Sequence, residues 1–434
     1  MTEELQGESR NSYRVLLTNF NFMKLWLAQI FSQLAANLLN FALIIRVFDL
    51  AAGTKYASIS VSLLVLAFGI PSIIFALLAG AYVDHLDRKK VLIVTNLIRA
   101  VLVVGFLFFD SNLIMIYVLV FVISIFSQFF VPAEAAAMPK VVDKRDLPAA
   151  NSLFLFTLYG SFAIGYALAG PVISAWGQDA IYWIAGGAFL FATLLCFGLP
   201  KMSAAMKGLN FSAINHQVAS TIGQSTRKIL STPRLLFPIM NLTIIQMMIG
   251  VVAVIAPALA LVLFGQNLAV VSGQIIVPAA IGMLIGAAVA GYWLKKSDKI
   301  ITIDIGIGIS VVVLIAGFFL PNFKDSSLYN LIIMAGLFLI GFSAAIISVT
   351  AQTLLQTNSS DEERGKIFGT LNMMMNIAAS IPVLLAGIIA DILSPLSVLA
   401  ISGLFIGIYG IYQFLTIRKH ELLYSKGKDN QGLR

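Results

Sequence analysis

Charge is what this sequence has least of. Asp, Glu, Lys and Arg make up 11% of its 434 residues, less than half of the roughly 25% usual in soluble domains. Hydrophobic residues make up 59%, and the mean hydropathy is +0.94. A soluble globular chain is thereby excluded. Cysteine is scarcer still: the one thiol, Cys196, lies inside an apolar run, which leaves neither a disulfide framework nor Cys/His metal spacing. The three histidines, His85, His216 and His420, all fall in connections or the tail. No nucleophile–base set and no metal site is expected, so neither an enzyme nor a cofactor is. The net charge of +8 would suit nucleic acid only if gathered on one solvated face. Here the basic residues are scattered through short connections, and no nucleic-acid partner is expected.

What the chain has instead is twelve apolar stretches, each long enough to cross about 30 Å of hydrocarbon at 1.5 Å per residue. They span 24–48, 57–83, 91–110, 112–131, 150–175, 180–199, 235–264, 268–294, 300–320, 328–350, 366–392 and 395–417. The first is longer than a signal-peptide core and follows a start of mixed charge, so a retained helix is expected. Of the 28 Lys and Arg residues, 24 fall on alternate connections and the two terminal arms, against Lys55 and Lys324 on the other side. The positive-inside rule then places both termini in the cytoplasm.

The two halves repeat. Gly80-Ala-Tyr-Val-Asp84 has a counterpart 211 residues later in Gly291-Tyr-Trp-Leu-Lys295, and Pro171 has one at the same offset in Pro382. This argues for six helices duplicated into six: a bundle over 1–200, a linker over 201–234, and a second bundle with a tail over 235–434. In the linker, Phe211, Ile214, Val218, Ile222 and Ile229 share one helical face. They read as an amphipathic helix on the membrane surface, with a flexible linker as the other reading.

The turn Gly80-Ala-Tyr-Val-Asp84-His-Leu-Asp87-Arg88-Lys89-Lys90 separates the second and third spans. Its glycine, carboxylate and basic cluster resemble the motif joining helices two and three of the major facilitator superfamily, although His85 and Asp87 replace the usual arginine and glycine. Pro132-Ala-Glu134-Ala-Ala-Ala-Met-Pro139 with Leu147-Pro-Ala-Ala-Asn151-Ser152 is similar to the loop after helix four in the branch holding bacterial macrolide-efflux proteins and the enterobactin exporter. Gln352–Gln356 and Arg364-Gly365-Lys366 resemble its second-half equivalent, and Gly165 to Pro171 resembles the fifth-helix motif of drug antiporters. The resemblance implies an all-α membrane protein of the major facilitator fold, with two pseudo-symmetric six-helix bundles. It also implies a conformational switch made by Gly80, Asp84, Arg88 and Glu134. A helix-lined approach at Gly80 is expected. Asp84 would cap the eleventh helix near Lys366, and Glu134 would hold Arg88, with a water-facing Glu134 as the alternative.

Gln29, Gln33, Asn37 and Asn40 form one polar stripe along the first span, and Asn372, Asn376 and Ser380 form another on the eleventh, beside Met373, Met374 and Met375. Amides are costly in lipid, so the stripes face either a transport cavity or neighbouring helices. Gln246 on the seventh span joins the cavity candidates. Arg46 is expected to snorkel outward with Asp49 as partner, a gate being the alternative. No carboxylate is expected near the middle of a span, so the usual relay for a coupling proton is not visible. The expectation is a monomeric secondary transporter of the bacterial inner membrane, exporting an apolar or amphiphilic small molecule by alternating access. Its partners are the substrate, the bilayer and a coupling proton. A lysophospholipid flippase-like transporter and a non-transporting membrane sensor or scaffold are the rival readings.

Overall fold

A computed structural model describes residues 12–203, 211–293, 299–358 and 361–429. All regular structure among them is helical. The helices are α1 (Ser12–Thr18), α2 (Phe20–Ala51), α3 (Ala57–Val83), α4 (Arg88–Phe109), α5 (Leu113–Val141), α6 (Leu147–Trp176) and α7 (Gln178–Phe197). Then follow α8 (Phe211–Ser231), α9 (Pro233–Phe264), α10 (Leu268–Trp293), α11 (Lys299–Phe318), α12 (Tyr329–Asn358), α13 (Asp361–Ile392) and α14 (Pro395–Asp429). Twelve of these, all but α1 and α8, contain stretches long and apolar enough to cross a membrane. In lipid every backbone polar group must be satisfied within the segment, which is why continuous helices form here despite many β-branched residues. Side chains begin several of them: Asn19 accepts from Asn21 and Phe22 amides at the start of α2, and Asn112 does the same for Ile114 and Met115 at the start of α5.

The fourth span is longer than expected. Sequence placed its end at 131, before a proline-flanked loop, but α5 continues as helix through Pro132 and Pro139 to Val141. Each proline removes one backbone hydrogen bond and crowds the carbonyl four residues back. The helix survives because Ala133, Ala137 and Met138 remain packed in the core. Glu134 therefore stands on a buried helical face, not in a loop. In the same way, Gln352 to Gln356 lie within α12. The predicted linker helix is present as α8; it buries Ile229, half-buries Val218 and Ile222, and leaves Asn215 exposed. Tyr82 at the end of α3 donates to the Asn215 side chain at 2.9 Å. The side chains of Phe211 and Ile214 lie outside the described residues.

The two six-helix sets meet along two seams, α3 against α13 and α6 against α10. Both seams close through small residues. A Cβ at Gly387 would collide with the Ser62 hydroxyl and the Ser58 carbonyl, and one at Gly170 with the Ser272 hydroxyl and the Ala269 carbonyl. Helices approach this closely only where a side chain is absent. The expected close approach at Gly80 is not found: a Cβ there meets nothing within 4 Å. The contacts of α3 with α13 among the described side chains, at Ser58, Ile59 and Ser62, lie toward the other end of α3.

Substituting Gly387 by valine should lower the thermal midpoint of the purified protein, because added methyls in tight packing cost about 1–3 kcal/mol. Gly80→Ala should not lower it. Equal destabilisation by the two changes would contradict this packing.

Candidate functional site: the seam between the halves and the buried charges beside it

Asp391, in the last turn of α13, accepts hydrogen bonds from the backbone amides of Ser58 and Ile59, each at 2.9 Å. These are among the first amides of α3, which no helical carbonyl can satisfy. A carboxylate there also meets the positive end of the helix dipole, worth about 0.3–1 kcal/mol when exposed and up to about 2 when partly buried. One turn inward, the Ser62 hydroxyl donates to the Val383 carbonyl at 2.9 Å, beside Gly387. The two halves are thus bound at this end by a charged cap, a hydroxyl bridge and a glycine contact. The sequence reading noted Asp391 only as a residue near a helix end; the signal available was an acid one turn from the close of a span.

Around the same end, Arg46 pairs with Asp110, Nε to Oδ2 at 3.1 Å, and not chiefly with Asp49, which is exposed. Asp110 sits at the C-cap of α4, where α2 passes close by, and Tyr182 donates to it at 3.4 Å. Gln178 reaches both the Tyr182 hydroxyl and the Ala42 carbonyl. This ties α2, α4 and α7 together inside one half.

The polar stripe on α2 divides. Gln29 is buried, and its amide reaches the Phe154 carbonyl of α6 at 3.4 Å, so this residue serves packing. Gln33, Asn37 and Asn40 are half-buried, whereas Leu38 beside them is 7% exposed. Asn37 lies against Gly165 of α6, where a Cβ would come within 2.7 Å of the Asn37 Cβ. Gln246, Asn376 and Met373 to Met375 are half-buried as well, and Ser380 turns its hydroxyl back to the Asn376 carbonyl. The side chain of Asn372 lies outside the described residues.

The basic cluster of the 84–90 turn has partners other than the one expected. Arg88 donates through Nη1 to the Ser203 carbonyl and through its amide to the Met202 carbonyl, and Lys89 reaches the Leu199 carbonyl at 2.7 Å. Lys24 donates to the Gly198 carbonyl at 2.8 Å. All four contacts fall on the chain just past α7, where cations complement the free carbonyls of a helix end. Arg88 makes no ion pair with Glu134, which corrects that pairing. The contact of Asp84 with the start of α13 near Lys366 falls on side chains outside the described residues; Asp84 itself is half-buried at the C-cap of α3.

The cation whose charge acts on Glu134 is Arg99, which sequence reading passed over. It lies midway along α4 and is 3% exposed. Its guanidinium is held between the Phe130 and Phe189 rings, 4.5 and 4.7 Å from their centroids. It donates to the Asn96 side chain at 2.6 Å and to the Thr95 carbonyl at 3.3 Å. Glu134, 5% exposed, provides the nearby opposite charge, and its Oε1 has no hydrogen-bond partner. The available signal was an arginine inside an apolar run, which is by default a functional candidate.

In a double-mutant cycle on thermal stability, Glu134→Gln should couple to Arg99→Gln by about 0.5–3 kcal/mol. Glu134→Gln and Arg88→Gln should add. Coupling to Arg88 with additivity at Arg99 would overturn this assignment.

A family model described as "Major Facilitator Superfamily" matches residues 25–381 and 306–432. The chain is 24% identical to macrolide efflux protein A of Streptococcus pyogenes over 377 residues, covering 85% of this chain and 89% of the relative. It is 25% identical to the enterobactin exporter EntS of Citrobacter koseri over 412 residues, covering 93% of each. Among solved structures it resembles the POT family transporter PepTSo, with TM-score 0.71 and 12% identity over 92% of this chain and 98% of that one. The twelve spans, the paired bundles and the matched length agree: this chain belongs to the major facilitator superfamily.

Proposed function

We propose that the protein is a secondary exporter of apolar or amphiphilic small molecules that works by alternating access. The observation that carries this reading is the polar closure of the seam at the Ser58 end. Asp391, Ser62 and Gly387 bind α3 to α13 at the Ser58 end, while Gly80 at the far end of α3 meets open space. The charge asymmetry of the connections supports cytoplasmic termini in a bacterial inner membrane, which makes the closed end periplasmic and the state inward-open. Residues 1–200 and 235–434 are then the two rocking bundles, joined by a 201–234 linker whose α8 lies along the inner surface.

The same geometry gives Asp84 a role. It stands at the C-cap of α3 much as Asp391 stands at the end of α13. When the periplasmic cap breaks, Asp84 would cap the first turn of α13, and the two carboxylates would be occupied alternately. Gln33, Asn37, Asn40, Gln246 and Asn376 line the path between the bundles, with Met373 to Met375 as an adaptable apolar surface. The names of the two relatives, a macrolide efflux protein and an enterobactin exporter, support export of bulky molecules of mixed polarity.

Everted vesicles carrying the protein should accumulate erythromycin or ethidium above empty vesicles, and Asp391→Ala should lower that accumulation without lowering expression. Accumulation equal to empty vesicles for both probes would count against the reading.

In a Cys196→Ala background, Asn37→Cys should react with a membrane-impermeant maleimide added from the cytoplasmic face, and Leu38→Cys should not. Asp391→Ala should shift reactivity at position 37 toward the periplasmic face. Equal labelling at 37 and 38 would show that the stripe borders no path.

A further inference from the structure

The second bundle carries an acid on its outer side. Asp304 lies on α11, five residues after Lys299 and so about 7.5 Å along the helix. An ionisable side chain on a membrane span is costly and is by default a functional candidate. The internal repeat shows that the fold does not require one there. Where α11 has Asp304 and Gly308, the positions 211 residues earlier on α4 hold Ile93 and Leu97.

A chain of buried amides holds this carboxylate. Asn241 of α9 donates to the Phe237 carbonyl at 2.9 Å and to the Gln413 side-chain oxygen at 3.1 Å. With its oxygen so engaged, Gln413 of α14 donates through Nε2 to Asp304 Oδ1 at 2.9 Å. Asn241 and Gln413 are buried, whereas Asp304 is half-buried. Three helices therefore position the acid from the protein side, and the same residue lines a groove on the outside.

The groove has a volume of about 410 Å³ and runs between α11 and α14. Asp304, Gly308 and Val312 line it from α11 at spacings of four, and Gly407, Ile411 and Leu415 do so from α14. The two helices are antiparallel: a Cβ at Gly410 would come within 2.8 Å of Ile307, and one at Gly407 within 3.5 Å of Val311. The two lines thus face each other over eight residues, about 12 Å. The floor is bare at Gly308, where a Cβ would meet nothing within 4 Å. Val312, Ile411 and Leu415 are exposed, so the groove opens on the hydrocarbon. It is an apolar slot parallel to the helices that ends in a carboxylate.

We propose that this groove binds a phospholipid with a primary-ammonium headgroup, phosphatidylethanolamine, its ammonium on Asp304 and an acyl chain along Gly308. Charge complementarity selects the headgroup. A primary ammonium brings a compact charge with three donors; choline brings the charge without a donor, and phosphatidylglycerol brings only negative charge. The lipid comes from the leaflet at the Lys299 end of α11, the cytoplasmic one by the charge asymmetry of the connections. The inference needs the membrane-embedded fold and does not depend on the export reading.

Native mass spectrometry of the purified protein, given equal amounts of phosphatidylethanolamine, phosphatidylcholine and phosphatidylglycerol with the same acyl chains, tests this. Wild type should retain phosphatidylethanolamine over phosphatidylcholine by about threefold, the scale of a partly exposed charge pair. Asp304→Asn keeps an acceptor for Gln413 and should retain the two lipids alike. Gly308→Leu fills the floor and should lose the selective retention, while Leu97→Ala on the equivalent face of the first bundle should not. Phosphatidylethanolamine with a photoactivatable acyl chain should crosslink to α11 and α14 in wild type but not in Gly308→Leu. Equal retention by wild type, a preference unchanged in Asp304→Asn, or crosslinks spread evenly over the outer helices would overturn the proposal, leaving an unselective lipid annulus. A preference for phosphatidylglycerol would overturn it too. If Asp304→Asn does not fold, the crosslink position and Gly308→Leu decide the site.

Discussion

The carboxylate of Asp391 on the first amides of α3 is the contact on which the arrangement of the two halves depends. A helix begins with amides that have no partner in their own chain, and at the membrane edge water is the usual substitute. Here the other half of the protein supplies the partner instead. The contact is directional and charged, yet it sits where water can take over once it breaks. On the alternating-access reading, that combination suits a joint that holds in one state and lets go in the next, since a greasy interface of the same area would have no comparable alternative partner.

Small residues make the joint possible. In a bilayer, lipid tails are as apolar as leucine, so association of the halves cannot rest on hydrophobic burial. The seam relies on close approach, and Gly387 and Gly170 permit it on the two most extensive helix pairs that cross between halves. The bundles themselves are stiffened differently. Cations from the 84–90 turn and from Lys24 cap the end of α7, and Arg46 with Asp110 binds three helices at the opposite end. Strong polar contacts within the first half and a small set across the seam fit, on the alternating-access reading, bodies with a limited number of bonds to exchange.

Much of this was legible in the sequence. Twelve spans follow from apolar length, and the duplication follows from the 211-residue spacing of two landmarks. The linker helix followed from one apolar face. What the sequence misplaced were contacts that depend on helix length and rotation. Pro132 and Pro139 suggested a loop, which set Glu134 at the end of its helix, beside Arg88 or facing water; the helix runs on, because packed neighbours tolerate a missing backbone bond, and Glu134 is buried on its face. Arg88 was given a carboxylate partner because of its place in a motif, but carbonyls at the end of α7 were nearer. Arg46 was paired within its own helix, while the partner that closed the contact came from the cap of α4. Gln29 looked equal to Gln33 and Asn37 in spacing, yet only the depth of α6 decides that it packs.

The most direct test of the account is the distance between the two halves at the Ser58 end. Spin labels at Lys55 and Leu393, both exposed in the structure, can be placed in a Cys196→Ala background and measured by double electron–electron resonance in lipid. The account predicts a short, narrow distribution for the otherwise unaltered protein and a second, longer population when Asp391 is replaced by alanine. Identical distributions with and without the Asp391 carboxylate would contradict it.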